Sequence, residues 1–212
     1  MRFAPSRRDR RVFGKIANEY NLVYFGSVDP RIDTDYKMIR GLTVAPNMRD
    51  ENYTVGSVDG FEIAFLQRSR KVEVAYDKWR NCRWTILQVA IKDTDLPHIF
   101  IDARDRRTAF GDLLMSMLRL PEIPWQNFSP NDKFSKVFAL HSRPYAIQTI
   151  RKIFTQEMQK TFIENFSLFD IEIVDDKILV YAANQKVLDL QMLDHMLRVG
   201  LLLARKIKST KK

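Results

Sequence analysis

The sequence has one cysteine, seven glycines and no long apolar run, and each shortage excludes a class of protein. A lone thiol, Cys82, cannot form an intrachain disulfide, which excludes a disulfide scaffold. No run approaches the roughly 18 apolar residues expected of a membrane-spanning helix. The arginine-rich start, residues 1–11, has no apolar segment behind it and is not a secretory signal. We therefore expect a cytoplasmic protein.

The motifs of several common chemistries are also missing. Neither glycine-rich phosphate loop, G-x-G-x-x-G or G-x₄-G-K-[ST], occurs, and there is no C-x₂-C or H-x₃-H pair. We therefore predict no cofactor and no metal. One acid/base pair deserves consideration, because His98 and Asp102 share a face of a predicted strand. A hydrolase-type enzyme built on that pair is an alternative hypothesis, although no activated nucleophile accompanies it.

Positive charge is concentrated at the two ends of the chain. Residues 1–15 hold six basic residues and one acid, and residues 198–212 hold six basic residues and no acid. Because the net charge of the whole chain is +9, the body between them sums to −2. The termini are therefore where an anionic partner would bind.

The first basic segment is predicted to form a capped helix over residues 6–20. Ser6 and Asp9 occupy the two polar positions of a capping box, and Val12, Phe13 and Ile16 begin an apolar stripe. The cations at the two ends are our candidate anion- or partner-binding residues: Arg7, Arg8, Arg11, Lys15, Arg205, Lys206 and Lys208. We expect those after Ile207 to lie on a frayed tail, which favours the first group as the specific contact.

Between the ends, the pattern predicts an α+β protein with a mostly antiparallel sheet built from hairpins. One hairpin spans 53–70 and turns at Asp59-Gly60, and the other spans 169–182 and turns at Asp175-Asp176. Further strands are predicted at 22–25, 83–92, 98–103 and 134–141, and helices at 108–118, 144–166 and 186–207. Two long helices, 144–166 and 186–207, should cover the sheet beside the N-terminal amphipathic helix. We expect residues 1–212 to form one domain, with a candidate subdomain boundary in the proline-rich loop 121–132.

The last predicted helix has an unusually wide apolar surface. One stripe contains Leu193 and Leu197, a second contains Met192 and Met196, and Asp194 can pair with Arg198 on the polar side. Either this helix is central to the fold, which we favour, or part of it meets a partner, including a second copy, with Gly200 permitting close approach.

The C-terminal part resembles a family of uncharacterised soluble bacterial domains. The similar residues are the run Phe134-Ser135-Lys136-Val137-Phe138-Ala139-Leu140, the hairpin 169–182 and the terminal helix, within 128–207. The resemblance implies an α+β fold and a bacterial origin, and it transfers no activity or site.

These observations favour a non-enzymatic interaction protein whose protein partner is unknown. The first alternative is sequence-independent binding of nucleic acid through the basic termini, by cation–phosphate contacts. An anionic membrane surface would attract the same residues. The simplest interpretation is that the charged ends only keep the protein soluble, and the nucleic-acid and membrane alternatives must be weighed against it.

Overall fold

A computed structural model describes residues 6–28, 50–75, 78–92, 96–104, 120–124, 132–183 and 188–210. Its elements, in chain order, are α1 (Arg7–Glu19), β1 (Val23–Val28), β2 (Asp50–Val58), β3 (Phe61–Ala75), β4 (Lys78–Ala90), β5 (Ile99–Ala103), α2 (Asp132–Val137), β6 (Phe138–Ser142), α3 (Ile147–Ile153), α4 (Gln156–Asn165), β7 (Asp170–Val174), β8 (Lys177–Ala183) and α5 (Leu190–Thr210). The eight strands form one antiparallel sheet in the order β1-β2-β3-β4-β8-β7-β5-β6. The predicted α+β class, with helices against an antiparallel sheet, is confirmed.

Both predicted hairpin turns are present. Asp59 and Gly60 connect β2 to β3 with φ values of 51° and 78°, and Asp175 and Asp176 connect β7 to β8 with 48° and 58°. Two consecutive left-handed residues are what a type I′ hairpin turn requires, and glycine and aspartate are among the residues that tolerate that conformation.

Two helices, α1 and α5, pack on the same face of the sheet. The rings of Phe13 in α1 and Phe65 in β3 meet edge to face, with centroids 6.5 Å apart. Alternate strand residues supply a second apolar cluster on the opposite face, including Leu66, Trp84 and Ile86. Burial on both faces explains why β3 and β4 are apolar at consecutive positions.

The predicted strand over 134–141 is wrong in its first half. Residues 132–137 form helix α2, and β6 begins only at Phe138. The helical turn stacks Phe134 against Phe138 with centroids 4.8 Å apart, and both rings reach Phe162 of α4. Arg104 donates from Nε to the carbonyl oxygens of Ser135 and Phe138 at 2.7 and 3.1 Å, which satisfies acceptors at the end of the helix.

The predicted long helix over 144–166 is also wrong, since it consists of a 3₁₀ turn at Pro144–Ala146 followed by α3 and α4. The break falls at Phe154, whose backbone (φ −95°, ψ 64°) leaves the helical region. Thr155 then caps α4 by accepting a hydrogen bond from the Met158 amide. Threonine is favoured at the N-cap of a helix and disfavoured in a helix interior, so the residue type at position 155 favours a new helix beginning there.

Helix α5 occupies the central position that we favoured from the sequence. Both apolar stripes, including Leu193, Met196 and Leu203, are buried within the chain, and Asp194 pairs with Arg198 at 2.8 Å. This burial removes the surface on which self-association through α5 rested. The helix also continues to Thr210, so Lys208 is helical and the expected frayed tail after Ile207 is wrong. Among the described helices, none combines the length and apolarity needed to span a bilayer.

Some predicted features fall outside the described residues: the helix at 108–118, the first residues of the last helix and part of the loop 121–132. The loop's first residues are described and pair with β6. The Ile123 amide donates to the Leu140 carbonyl at 2.8 Å, and the Ser142 amide donates to the Pro121 carbonyl at 3.1 Å. The subdomain boundary and the single domain stay predictions.

Candidate interaction surface

Helix α1 presents its cations on the side opposite the core. The hydroxyl of Ser6 accepts a hydrogen bond from the Asp9 amide at 3.0 Å, which starts the helix as predicted. Phe13, Ile16 and Ala17 then lie against the sheet and are almost fully buried. At 100° per residue, the four predicted cations of α1 fall within about 100° of the helix circumference, facing away from that stripe.

The cationic face of α1 consists of Arg7, Arg8, Arg10, Arg11 and Lys15, and all five are exposed. Within the described residues, none of them has an acidic partner. Arg10 was absent from our sequence-based set because its helical phase places it at the border of the face, beside the core stripe. The other four are where the sequence predicted them.

The single acid of this helix's first turn does not neutralise the face. Asp9 is buried and its Oδ2 lies 2.8 Å from Nη1 of Arg83, on β4. Arg83 also donates from Nη2 to Oε1 of Gln67 at 3.0 Å and lies 3.8 Å from a carboxylate oxygen of Glu51. This polar network anchors α1 to three strands and leaves the cations outside it uncompensated.

Strand β1 runs beside α1 and shows a different character on each face. On the face toward α1, Tyr24 donates from its hydroxyl to Oδ1 of Asn52 at 2.8 Å. On the other face, Val23 and Phe25 are 56% and 60% exposed, and the Phe25 ring lies 6.2 Å from that of Tyr53. Exposed apolar side chains therefore lie on the face of β1 that is turned away from α1, a feature that our reading of the sequence did not identify.

The C-terminal cations are engaged within the molecule. Arg205 forms an ion pair with Asp59 in the β2–β3 turn. Lys208 places Nζ 5.6 Å from the centre of the Phe61 ring, at cation–π distance. Lys206 is half-buried and lines an open groove of about 350 Å³ between α4 and α5, together with Glu157. Arg205 and Lys208 thus have protein partners that the cations of α1 lack.

The internal contacts next to the two cationic clusters are well separated along β3. Asp9 contacts Arg83, whose partner in the β3–β4 register is the ninth residue of β3. Arg205 contacts Asp59, which lies in the turn just before β3 begins. Eight steps along a strand at about 3.3 Å each separate these contacts by roughly 26 Å. Within the described residues, these two contacts therefore do not belong to one basic patch.

The predicted His98–Asp102 pair does not form the expected contact. Four residues of extended chain span about 13 Å, too far for a hydrogen bond. His98 instead places Nε2 2.7 Å from Oε1 of Glu172, a buried carboxylate that also accepts from the hydroxyl of Tyr181. The geometry gives His98 a partner across the sheet and gives no support to the hydrolase hypothesis.

Comparison with proteins of known structure finds the same architecture elsewhere. The fold is similar to that of the mycobacterial trehalose monomycolate transport factor A, TtfA, with a TM-score of 0.59. The alignment covers 97% of this chain and 95% of that chain at 10% sequence identity. No protein-family model matches the chain, and neither does any curated protein.

At 10% identity the likeness to TtfA establishes a shared fold and nothing about shared residues. The candidate surface therefore depends on its own geometry: a cationic helix held by buried contacts and an adjoining strand with exposed apolar side chains. The resemblance to a bacterial domain family stays a prediction.

Proposed function

We propose that this protein is a non-enzymatic accessory protein that binds an acidic surface of a partner protein through the cationic face of α1. The observation that carries the proposal is the exposure of five cations on an anchored helix, without acidic partners in the described part of the chain. Because the backbone of this helix is already ordered, binding requires the ordering of side chains only, which favours association. The name of the structural neighbour, a transport factor, fits an accessory role.

Two features favour a protein partner over an anionic membrane or a nucleic acid. The apolar stripe of α1, with Phe13 and Ile16, is buried in the core, so this helix cannot insert an apolar face into a bilayer. The ion pair of Arg205 with Asp59 lies about 26 Å along β3 from the contact of Asp9 with Arg83, so the α1 and α5 cations that the structure describes do not form one continuous cationic track for a phosphate backbone.

Site-specific photocrosslinking in cells that naturally express the protein tests this proposal. A photoreactive residue replaces Lys15, at one end of the cationic face, and in a matched control it replaces Lys160 on α4, another exposed helical lysine. We expect the Lys15 probe to form adducts with acidic protein segments. The double charge reversal Arg8→Glu/Arg11→Glu should remove those adducts, and the Lys160 probe should not form them.

The chemistry of the adducts decides between the alternatives. Adducts of the Lys15 probe with nucleic acid or lipid alone would contradict the proposal and favour the corresponding alternative. Protein adducts that survive the double reversal would also contradict it, because electrostatic attraction by this face would then be dispensable. Circular dichroism of each variant checks that α1 still folds, since both arginines are exposed and outside the core.

A further inference from the structure

The two edges of the sheet differ in how they are covered. At the β6 edge, residues 121–123 pair with the strand through backbone hydrogen bonds and a bridge between Glu122 and His141. At the β1 edge, no described segment pairs with the outer side. Every second residue of an antiparallel edge strand directs its N–H and C=O groups outward, so β1 offers a template for another strand.

The side chains of β1 are accessible on one face of the strand. Exposure alternates along the strand, with Val23, Phe25 and Ser27 exposed and Tyr24 and Gly26 half-buried. Val23 and Phe25 therefore project from one face of the edge, where an added strand could cover them with its own apolar side chains.

The opposite face of the same edge is bordered by positive charge. Helix α1 packs against β1, and a chain of polar contacts runs from the Tyr24 hydroxyl through Asn52, Gln67 and Arg83 to Asp9, the residue before Arg10. The helical phase of Arg10, at the border of the buried stripe, then places it on the side of α1 beside β1. At 100° per residue, Arg7 and Arg11 follow Arg10 around the helix, and Arg8 lies about 160° from it. One flank of α1 thus places cations over the β1 edge, and Arg8 faces elsewhere.

We propose that β1 is a docking edge for an extended segment of the partner protein, with acidic residues alternating with apolar ones. This inference rests on the proposed function and specifies the conformation and pattern of the partner. Added as a ninth strand, the segment would direct its acidic side chains toward Arg10 and its apolar side chains toward Val23 and Phe25. Backbone hydrogen bonds supply affinity in such strand addition, and alternate side chains supply selectivity.

A second copy of this chain fits the edge less well. Pairing β1 with β1 would bring the cationic flanks of two α1 helices together, which is unfavourable for like charges. The register of β1 against β2 also shifts on both sides of Gly26, whose φ is 77°, and such bulges impede edge-to-edge association. Val23 and Tyr24 pair with β2 in regular register, so the first half of β1 can pair on its outer side with a segment of another protein.

The test uses the full chain and a fluorescent ten-residue peptide of alternating Glu and Val, with affinity measured by anisotropy. A second peptide carries the same composition as a Glu block followed by a Val block, and a third is N-methylated at alternate residues along one edge. We expect the alternating peptide to bind at least about tenfold more tightly than either, since the block peptide loses the facial pattern and the methylated peptide loses backbone donors. Its binding should also protect the β1 amides from hydrogen exchange.

Protein variants provide the matched controls. Arg10→Glu and Phe25→Ser should each weaken binding of the alternating peptide about five- to tenfold, and Lys160→Glu, the same charge reversal on the exposed side of α4, less than about twofold. Equal binding of alternating and block peptides, or equal loss in the two charge-reversal variants, would overturn the docking edge and leave the proposed function standing. If no acidic peptide binds at low salt, both fail. Concentration-dependent dimerisation that Phe25→Ser abolishes would assign the edge to a second copy and overturn this inference.

Discussion

A methyl group added at Gly200 should measure how closely α5 lies on the sheet. A Cβ built there would lie 2.8 Å from Cγ2 of Val89 and 3.0 Å from Cδ2 of Leu87. Both neighbours are fully buried strand residues, and valine has little freedom at χ1 to move aside. The Gly200→Ala variant should therefore be overpacked, which costs about 1–3 kcal/mol of unfolding free energy.

A second glycine supplies the matched control. Gly14 lies inside α1, and a Cβ at Gly14 would meet nothing within 4 Å. Replacing a helical glycine by alanine favours folding by about 0.5–1 kcal/mol through the intrinsic preference for helix. Because that gain is common to both variants, the difference in unfolding free energy between Gly14→Ala and Gly200→Ala isolates the packing cost, about 1–3 kcal/mol.

Urea unfolding followed by tryptophan fluorescence gives both free energies, with Trp84 buried in the sheet as a reporter. In thermal unfolding of the same variants, we expect Gly14→Ala to raise the melting temperature by about 1–4 °C and Gly200→Ala to lower it by a few degrees. The Val89→Ala background should reduce the penalty at Gly200, because it removes the atom at 2.8 Å. Equal stability of the two alanine variants would refute the close approach of α5 to β4.

Two further predictions concern polar contacts that join distant parts of the chain. The hydroxyl of Tyr20 donates to Asp194, and this hydrogen bond, with burial, raises the pKa of Tyr20 to about 12. We expect Tyr20→Phe to lose about 1 kcal/mol of unfolding free energy in urea at pH 8, and we expect this deficit to shrink between pH 10 and 12, because stability from a raised folded-state pKa is present below the unfolded pKa and is lost as the pH rises through the folded one. A deficit that stays constant with pH would contradict this. Arg68 forms a bidentate pair with Asp50, Nε to Oδ1 at 2.7 Å and Nη2 to Oδ2 at 2.6 Å, and both side chains are 2% exposed. In the same assay, Arg68→Met alone should cost about 3–5 kcal/mol of unfolding free energy, because it leaves the buried Asp50 carboxylate without this partner. The double variant Asp50→Leu/Arg68→Met should recover most of that loss, because the buried charge is then removed as well.

Local chemistry explains which elements could be predicted from the sequence. Asp59-Gly60 and Asp175-Asp176 determine their turns through residues that tolerate positive φ, and Ser6 determines the start of α1 through its own hydrogen bond. These interactions join residues no more than three apart, so the pattern of residue types was sufficient to predict them.

The elements that were missed depend on distant partners. Phe134 is helical because stacking on Phe138 brings both rings to Phe162, which is 28 residues further along the chain. The sheet order is equally non-local: β4 pairs with β8 along seven residue pairs, and β5, which follows β4 in the chain, pairs with β6 and β7. Alternation of side chains predicts a strand and its faces, but it carries no information on which strand lies beside it.

The candidate surface shows the same division between local and distant information. The helical spacing of Arg7, Arg8 and Arg11 was enough to predict that they share an exposed face. Two features that make the face a candidate site required the fold: Asp9 turns inward to Arg83, and Arg205 is occupied by Asp59 at the far end of β3. Net charge counted along the chain treats these cations and acids alike, whereas the fold separates the charges used within the molecule from those left for a partner.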